Sequence, residues 1–153
     1  RDAVIELRQA DIQAIREHAA RAYPHEACGL LLGRRDGERR RVSRIVPSAN
    51  VAAEPDRRFE IDPALRFRLM RERRERAGGE GAADPAAEEI IGHYHSHPDG
   101  AAAPSATDLA MAYEPELVWL IVAVARGRAG EITAHLPDAD RSRFTALAIG
   151  DLG

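Results

Sequence analysis

The period of hydrophobic and polar positions changes repeatedly along the chain, and each change marks an element. Val4 to Leu7 is a short apolar-rich segment that reads as a strand. Ile12, Ile15, Ala19 and Ala22 then recur at helical spacing, with Asp11 as the candidate cap and Pro24 as the stop. Cys28 to Gly33 is a continuous apolar run between glycines, the pattern of a strand buried on both faces. Arg41 to Val46 alternates polar and apolar residues, as a half-buried strand does, and Phe59-Glu60-Ile61 reads as a short strand. Asp62-Pro63 is a strong helix start, an acid at the cap followed by proline at the first helical position. That helix runs to about Ala77, with Gly78-Gly79 as its stop and the Gly78 to Ala87 stretch as a loop.

Ile90 to His95 reads as a strand, Asp99 to Pro104 as a loop, and Ser105 as the cap of a short helix through about Ala112. Leu117 to Ala125 is a central strand, and Arg126 to Gly130 a turn into a strand at Ile132 to Leu136. Phe144 to Ile149 reads as a last strand, with an amphipathic helix as the alternative. This order predicts an α/β fold, a curved mixed sheet with helices packed on it, in one domain over residues 1–153.

A length of 153 residues suffices to bury a core without disulfide or metal staples. No apolar run approaches the ~20 residues of a membrane helix. The N-terminal residues carry no signal pattern, and a single cysteine cannot close an internal disulfide, so a cytoplasmic protein without membrane contact is expected. The net charge of -3 gives no reason to expect a nucleic-acid partner. Its distribution is uneven: about -1 over residues 1–33, +6 over 34–76 and -8 over 77–153. Acids interleave the basic middle, which therefore reads as a solvated face.

The stretch that carries chemistry is Gly92-His93-Tyr94-His95-Ser96-His97-Pro98, followed by Ser105-Ala106-Thr107-Asp108. On an extended chain, residues two apart point the same way, so His95 and His97 project from one face at a strand end. Two imidazoles so placed begin a zinc site, which needs a third ligand and, for catalysis, an open fourth position. Asp108 stands near the start of the next helix and can return over the strand end. Ser105-x-x-Asp108 is also a capping-box pattern that needs no metal. Asp suits the reciprocal box less well than Glu or Gln, which leaves its carboxylate available for other work. His93 shares the parity of His95 and His97 and is a rival ligand. Cys28 has no visible activating partner, and small buried cysteines are common. His18, His25 and His135 read as packed or exposed histidines, and Trp119 as core. The His-x-Glu and Cys-x-x-Cys ligands of a zinc deaminase are absent from the sequence.

Taken together, His95-Ser96-His97-Pro98, the seven residues between His97 and Ser105, and Ser105-x-x-Asp108 resemble the signature of the JAMM (MPN+) metalloproteases. Glu26, ahead of the glycine-bounded apolar strand, resembles that family's upstream glutamate, and Asn50 and Phe59 to Pro63 add similarity. The resemblance runs from about Val4 to Val124 and departs from the family in its longer Gly78 to Ala87 loop.

The resemblance implies a JAMM/MPN architecture, cytidine-deaminase-like, of the small stand-alone prokaryotic type. It implies zinc (Zn2+) held by His95, His97 and Asp108, with Glu26 as general base and Ser105 as oxyanion donor. The family spacing leaves His93 a second-shell or substrate-side residue. The implied reaction is hydrolysis of an amide or isopeptide bond at the C-terminal tail of a ubiquitin-like or sulfur-carrier protein. The alternatives are a non-catalytic MPN-type interaction module and a zinc amidase acting on a non-protein amide.

Overall fold

A computed structural model describes residues 3–76 and 88–153 of the chain. Seven strands and three helices are present among them. They are β1 (Val4–Leu7), α1 (Gln9–Ala22), β2 (Cys28–Asp36), β3 (Arg39–Ser48), α2 (Pro63–Arg76), β4 (Glu89–Pro98), α3 (Ala106–Ala110), β5 (Val118–Ala125), β6 (Arg128–Pro137) and β7 (Phe144–Asp151). The mixed sheet expected from the sequence is there, but it closes on itself in the order β1-β3-β2-β4-β5-β6-β7. The four-residue strand β1 makes the closure by pairing in parallel with both β3 and β7. The other parallel pair is β4 with β5, and every remaining neighbour is antiparallel.

Residues Cys28 to Gly33 of β2 are apolar throughout because both faces of the strand are covered there. Leu31 points to the side where α1 packs, into a core with Ile5, Ile15, Ala19, Tyr94, Leu120 and Val122. Leu30 and Leu32 point to the opposite side, where Leu65 and Leu69 of α2 cover them. Burying a leucine side chain contributes about 1.5–3 kcal/mol, so this double cover fixes which face of β2 meets which helix. Gly29 leaves room for the Tyr94 ring, since a Cβ there would lie 2.3 Å from its Cε2. The Tyr94 hydroxyl thereby reaches Nδ1 of His18 on α1 at 2.7 Å.

Most element types and their order follow the sequence reading, but the strands run longer than expected: β2 to Asp36, β4 to Pro98, and β6 from Arg128, where the sequence predicts a turn to Gly130. Other differences have local causes. Asp11 is not the cap of α1. That helix starts earlier, with Arg8 in the cap position and no side-chain cap bond. Asp11 lies in its first turn, where its two carboxylate oxygens each accept from the Arg8 guanidinium at 3.0 Å. Phe59-Glu60-Ile61 does not form a strand. Only Ile61 makes an isolated bridge, to Asn50, because the Glu60 amide donates to the Asn50 side chain rather than to a ladder. Asp62 caps α2 as expected, accepting from the Ala64 amide at 3.0 Å. α3 ends at Ala110, short of Ala112. Phe144 onward is a strand and not a helix. The Gly78-Gly79 stop and the Gly78 to Ala87 loop lie outside the described residues. Among the described residues no helix is long and apolar enough to cross a membrane.

Candidate metal centre

The site forms on the α2 side of the sheet, at the end of β4. In the β2–β4 register Cys28 stands opposite His95, and the pairing continues past the strand. The Ser96 amide donates to the Ala27 carbonyl at 3.0 Å, and the Ala27 amide donates to Ser96 Oγ at 2.7 Å. Continuing that antiparallel register by two residues places Glu26 opposite His97, on the same face. On its other side β4 pairs with β5, so His95 is fixed between Cys28 and Ile121 and is fully buried. The Asp99–Pro104 segment then leads into α3, which returns Asp108 over the strand end.

Three donors converge there. His95 Nε2 and His97 Nε2 stand 3.0 Å apart, Asp108 Oδ2 is 3.1 Å from His97 Nε2, and Asp108 Oδ1 is 3.4 Å from His95 Nε2. Taking one donor atom from each residue, the three lie within 4.8 Å of one another, close enough for one ion to be shared by three protein ligands. The donor set, two imidazole nitrogens and a carboxylate, also suits zinc. His97 Nδ1 donates to the Ala101 carbonyl at 2.9 Å, which directs Nε2 inward. His95 Nδ1 is buried and has no hydrogen-bond partner among the described residues.

Asp108 caps α3 while facing both imidazoles. The Ser105 amide donates to its Oδ2 at 2.8 Å, and its own amide donates to Ser105 Oγ at 3.0 Å, a complete reciprocal box. The poorer fit expected of aspartate in the reciprocal box is therefore corrected. Its short side chain closes the box and still faces both imidazoles, because a carboxylate accepts in several directions. Ser105 Oγ accepts in this box, so its own proton stays available to a further acceptor.

The electrostatics of the metal-free site follow from burial and from these contacts. Burial works against ionised Asp108, but the hydrogen bonds from His95 and His97 outweigh it and hold its carboxyl well below the usual range. Burial keeps His95 below the ordinary histidine value despite Asp108. For His97 burial also disfavours the charge, yet Asp108 and the Ala101 carbonyl leave its pKa raised. Glu26 is only 7% exposed, and burial pushes its carboxyl up to about 7, with His97 pulling down and Asp108 and Asp56 pushing up.

The remaining candidates stay outside the cluster. His93 packs against both Phe59 and Trp119, with ring centroids at 5.6 and 4.5 Å, and burial lowers its pKa to about 3. It is absent from the converging donor group found among the described residues. Burial raises the Cys28 thiol to about 12, and its Sγ faces the Ala49 carbonyl at 3.7 Å. His18 bonds Tyr94, and His135 Nε2 meets Thr133 Oγ1 at 2.9 Å. Trp119 is core, as its run suggested, yet its ring edge also flanks His93 and His95. Phe59 and Asn50, marked in the sequence only as added family similarity, gain a place at the site. The Phe59 ring stacks on His95 at 4.3 Å, and Asn50 holds the segment that carries it. A cleft of about 210 Å³ adjoins the centre, lined by Ala52, Ala53, Phe59, Thr107, Asp108 and Met111 among others.

Comparison with known proteins gives the same direction. The sequence profile of prokaryotic homologs of the JAB domain matches residues 8–136. A desampylase of Haloferax volcanii is 34% identical over 144 residues, 94% of this chain and 92% of the relative. A CysO-cysteine peptidase of Mycobacterium bovis is 28% identical over 132 residues, 86% of this chain and 82% of the relative. The solution structure of a Desulfitobacterium hafniense protein superposes with a TM-score of 0.77 at 30% identity, covering 96% of this chain and 92% of that one.

Proposed function

This chain belongs to the family of prokaryotic JAB-domain homologues, and from that premise we propose that it is a zinc-dependent peptidase acting on the C-terminal tail of a ubiquitin-like or sulfur-carrier protein. One observation carries the reading: His95, His97 and Asp108 converge beside a buried carboxyl, Glu26, whose pKa is pushed to about 7. The relatives named for desampylation and for a CysO-cysteine bond support a protein tail as the substrate.

His95 and His97 would hold the metal through Nε2, and Asp108 through its carboxylate. Zinc, when bound, supplies Lewis acidity toward water and the scissile carbonyl. Glu26, on the same face as His97, takes the proton of the attacking water and delivers it to the departing amine. A carboxyl near neutrality is suited to both transfers. Ser105 Oγ, whose acceptor capacity is used by the Asp108 amide, donates its proton to the oxygen on which charge develops. Proton traffic between these side chains suffices, with no covalent acyl-enzyme. The Cys28 thiol, held protonated by burial, takes no part.

The test is mass spectrometry of a ubiquitin-like carrier extended beyond its Gly-Gly tail, incubated with the zinc form. Cleavage after the second glycine, lost with a chelator and in Glu26→Gln, is expected. An intact carrier alongside hydrolysis of a small acyl-amide would replace the protein-tail reading with that of an amidase.

A further inference from the structure

The two histidines of the centre are oriented by different means. His97 is held through its outer nitrogen by the Ala101 carbonyl. His95 has no such bond among the described residues, where its Nδ1 is buried without a partner. Histidine χ2 is a broad torsion, so a rotamer well does not set the ring plane, and an outer hydrogen bond normally does so. At His95 that constraint falls to its ring contacts. Phe59 lies almost flat on the imidazole, with centroids 4.3 Å apart and planes 15° from parallel. Trp119 meets it edge-on at 5.5 Å and 87°. Rotation of the His95 ring about χ2 would drive its edge into Phe59.

Phe59 in turn is held on both of its flanks by one side chain. Asn50 Nδ2 donates to the Arg58 carbonyl at 2.9 Å, and Asn50 Oδ1 accepts from the Glu60 amide at 3.0 Å. The same Nδ2 donates to the Glu26 carbonyl at 3.0 Å, and the Glu26 amide donates to the Pro55 carbonyl at 2.7 Å. Asn50 Oδ1 also accepts from Ala52 at 3.0 Å, and Nδ2 reaches Pro55 at 3.3 Å. One amide group thus ties the backbone of Glu26 to both peptide groups flanking Phe59.

We infer that Phe59 is a positioning residue for His95, the flat stack replacing the missing outer hydrogen bond, and that Asn50 locks this stack in register with Glu26. The inference rests on His95 being a metal ligand, as the proposed function has it.

The discriminating pair is Phe59→Leu, which keeps an apolar cover of similar bulk but loses the plane, and Phe59→Tyr, which keeps the plane. Zinc affinity by chelator competition should fall about 10–100-fold in Phe59→Leu, the usual effect of losing an outer-shell partner of a ligand. It should return to the parental value in Phe59→Tyr. Visible absorption of the cobalt-substituted protein should change in Phe59→Leu alone. In the metal-free protein, the His95 ring protons should lose their ring-current shift in that variant. Asn50→Ala, with Phe59 intact, should move the same readouts in the same direction by a smaller amount. Metal-free melting curves establish that each variant is folded. If Phe59→Leu binds zinc with parental affinity and spectrum, Phe59 is only a cover and the inference is overturned. His95→Ala separates the two failures. Parental zinc binding in His95→Ala overturns the ligand assignment, whereas zinc loss there with none in Phe59→Leu overturns the role of Phe59 alone.

Discussion

At Glu26 the demands of folding and of the proposed chemistry oppose each other. Moving its carboxyl from 4.5 to about 7 corresponds to roughly 3 kcal/mol at most, lost from the metal-free fold once the group ionises. The sign follows from proton counts. Between pH 4.5 and about 7 the folded chain binds more protons at this site than the unfolded chain, so stability falls as pH rises and levels off above 7. Metal-free Glu26→Gln should therefore be more stable than the parent at pH 8 in denaturant melts, and the gap should narrow toward pH 5. A gap independent of pH would mean that Glu26 is not desolvated in solution. The same variant should keep its zinc and lose about 10²–10⁴-fold in activity, the usual loss on removing a general base. Loss of zinc from a folded Glu26→Gln would instead make Glu26 a ligand. His95 and His97 were legible in the sequence because strand alternation is local, and their common face needs no tertiary information. Phe59 was not, because its ring reaches His95 only after the 49–62 segment folds back under the bonds of Asn50. For Asp108 the sequence suggests a poor reciprocal cap, but its box is complete, and its carboxylate, which accepts in several directions, still faces both imidazoles.

At the scale of elements, what matters is how the loop after β4 is held. The Ala101 carbonyl fixes His97, and its neighbour Ala102 accepts from Thr133 Oγ1 of β6 at 2.7 Å. His135 Nε2 is on the other side of that hydroxyl at 2.9 Å. Thr133 is thus one strand-borne tether of a loop that carries no secondary structure of its own, with the Asp99 amide bonded to the Val124 carbonyl of β5 as another. Thr133→Val should cost about 1 kcal/mol in stability, the usual worth of such a bond, and should weaken zinc binding through His97. Urea melts and chelator competition read the two effects, and unchanged zinc affinity would show that the loop holds without β6. On β2, Gly29→Ala should destabilise by about 1–3 kcal/mol or more, because the new methyl meets the Tyr94 ring, which is held by His18. Element types were legible wherever one face is buried. β7 stayed ambiguous because most of its residues are exposed or only half-buried, so its hydrophobic pattern is weak. Pairing with β1 and β6 settles it.

The whole molecule explains why the centre can exist before a metal arrives. Closure of the sheet was not legible in the sequence: it depends on β1 pairing with β7 across almost the whole chain, and nothing local encodes that register. Once the sheet is closed, the strand carrying His95 and His97 has a neighbour on each side, and Asp108 is fixed by its reciprocal cap. The three candidate donors are therefore held by the fold, unlike the ligands of small domains that are unfolded without zinc. Chelation should leave a cooperative unfolding transition and an unchanged far-ultraviolet circular dichroism spectrum. Binding to the native state alone adds about 4 kcal/mol at free zinc a thousand times the dissociation constant. For a chain of this size that raises the melting temperature by roughly 8–16 °C. His97→Ala should retain the cooperative transition and lose most of that rise, because the sheet does not depend on the imidazole but the metal does. A metal-free protein without a cooperative transition would place the ion among the elements of the fold and remove the preformed site from which the proposed chemistry is argued.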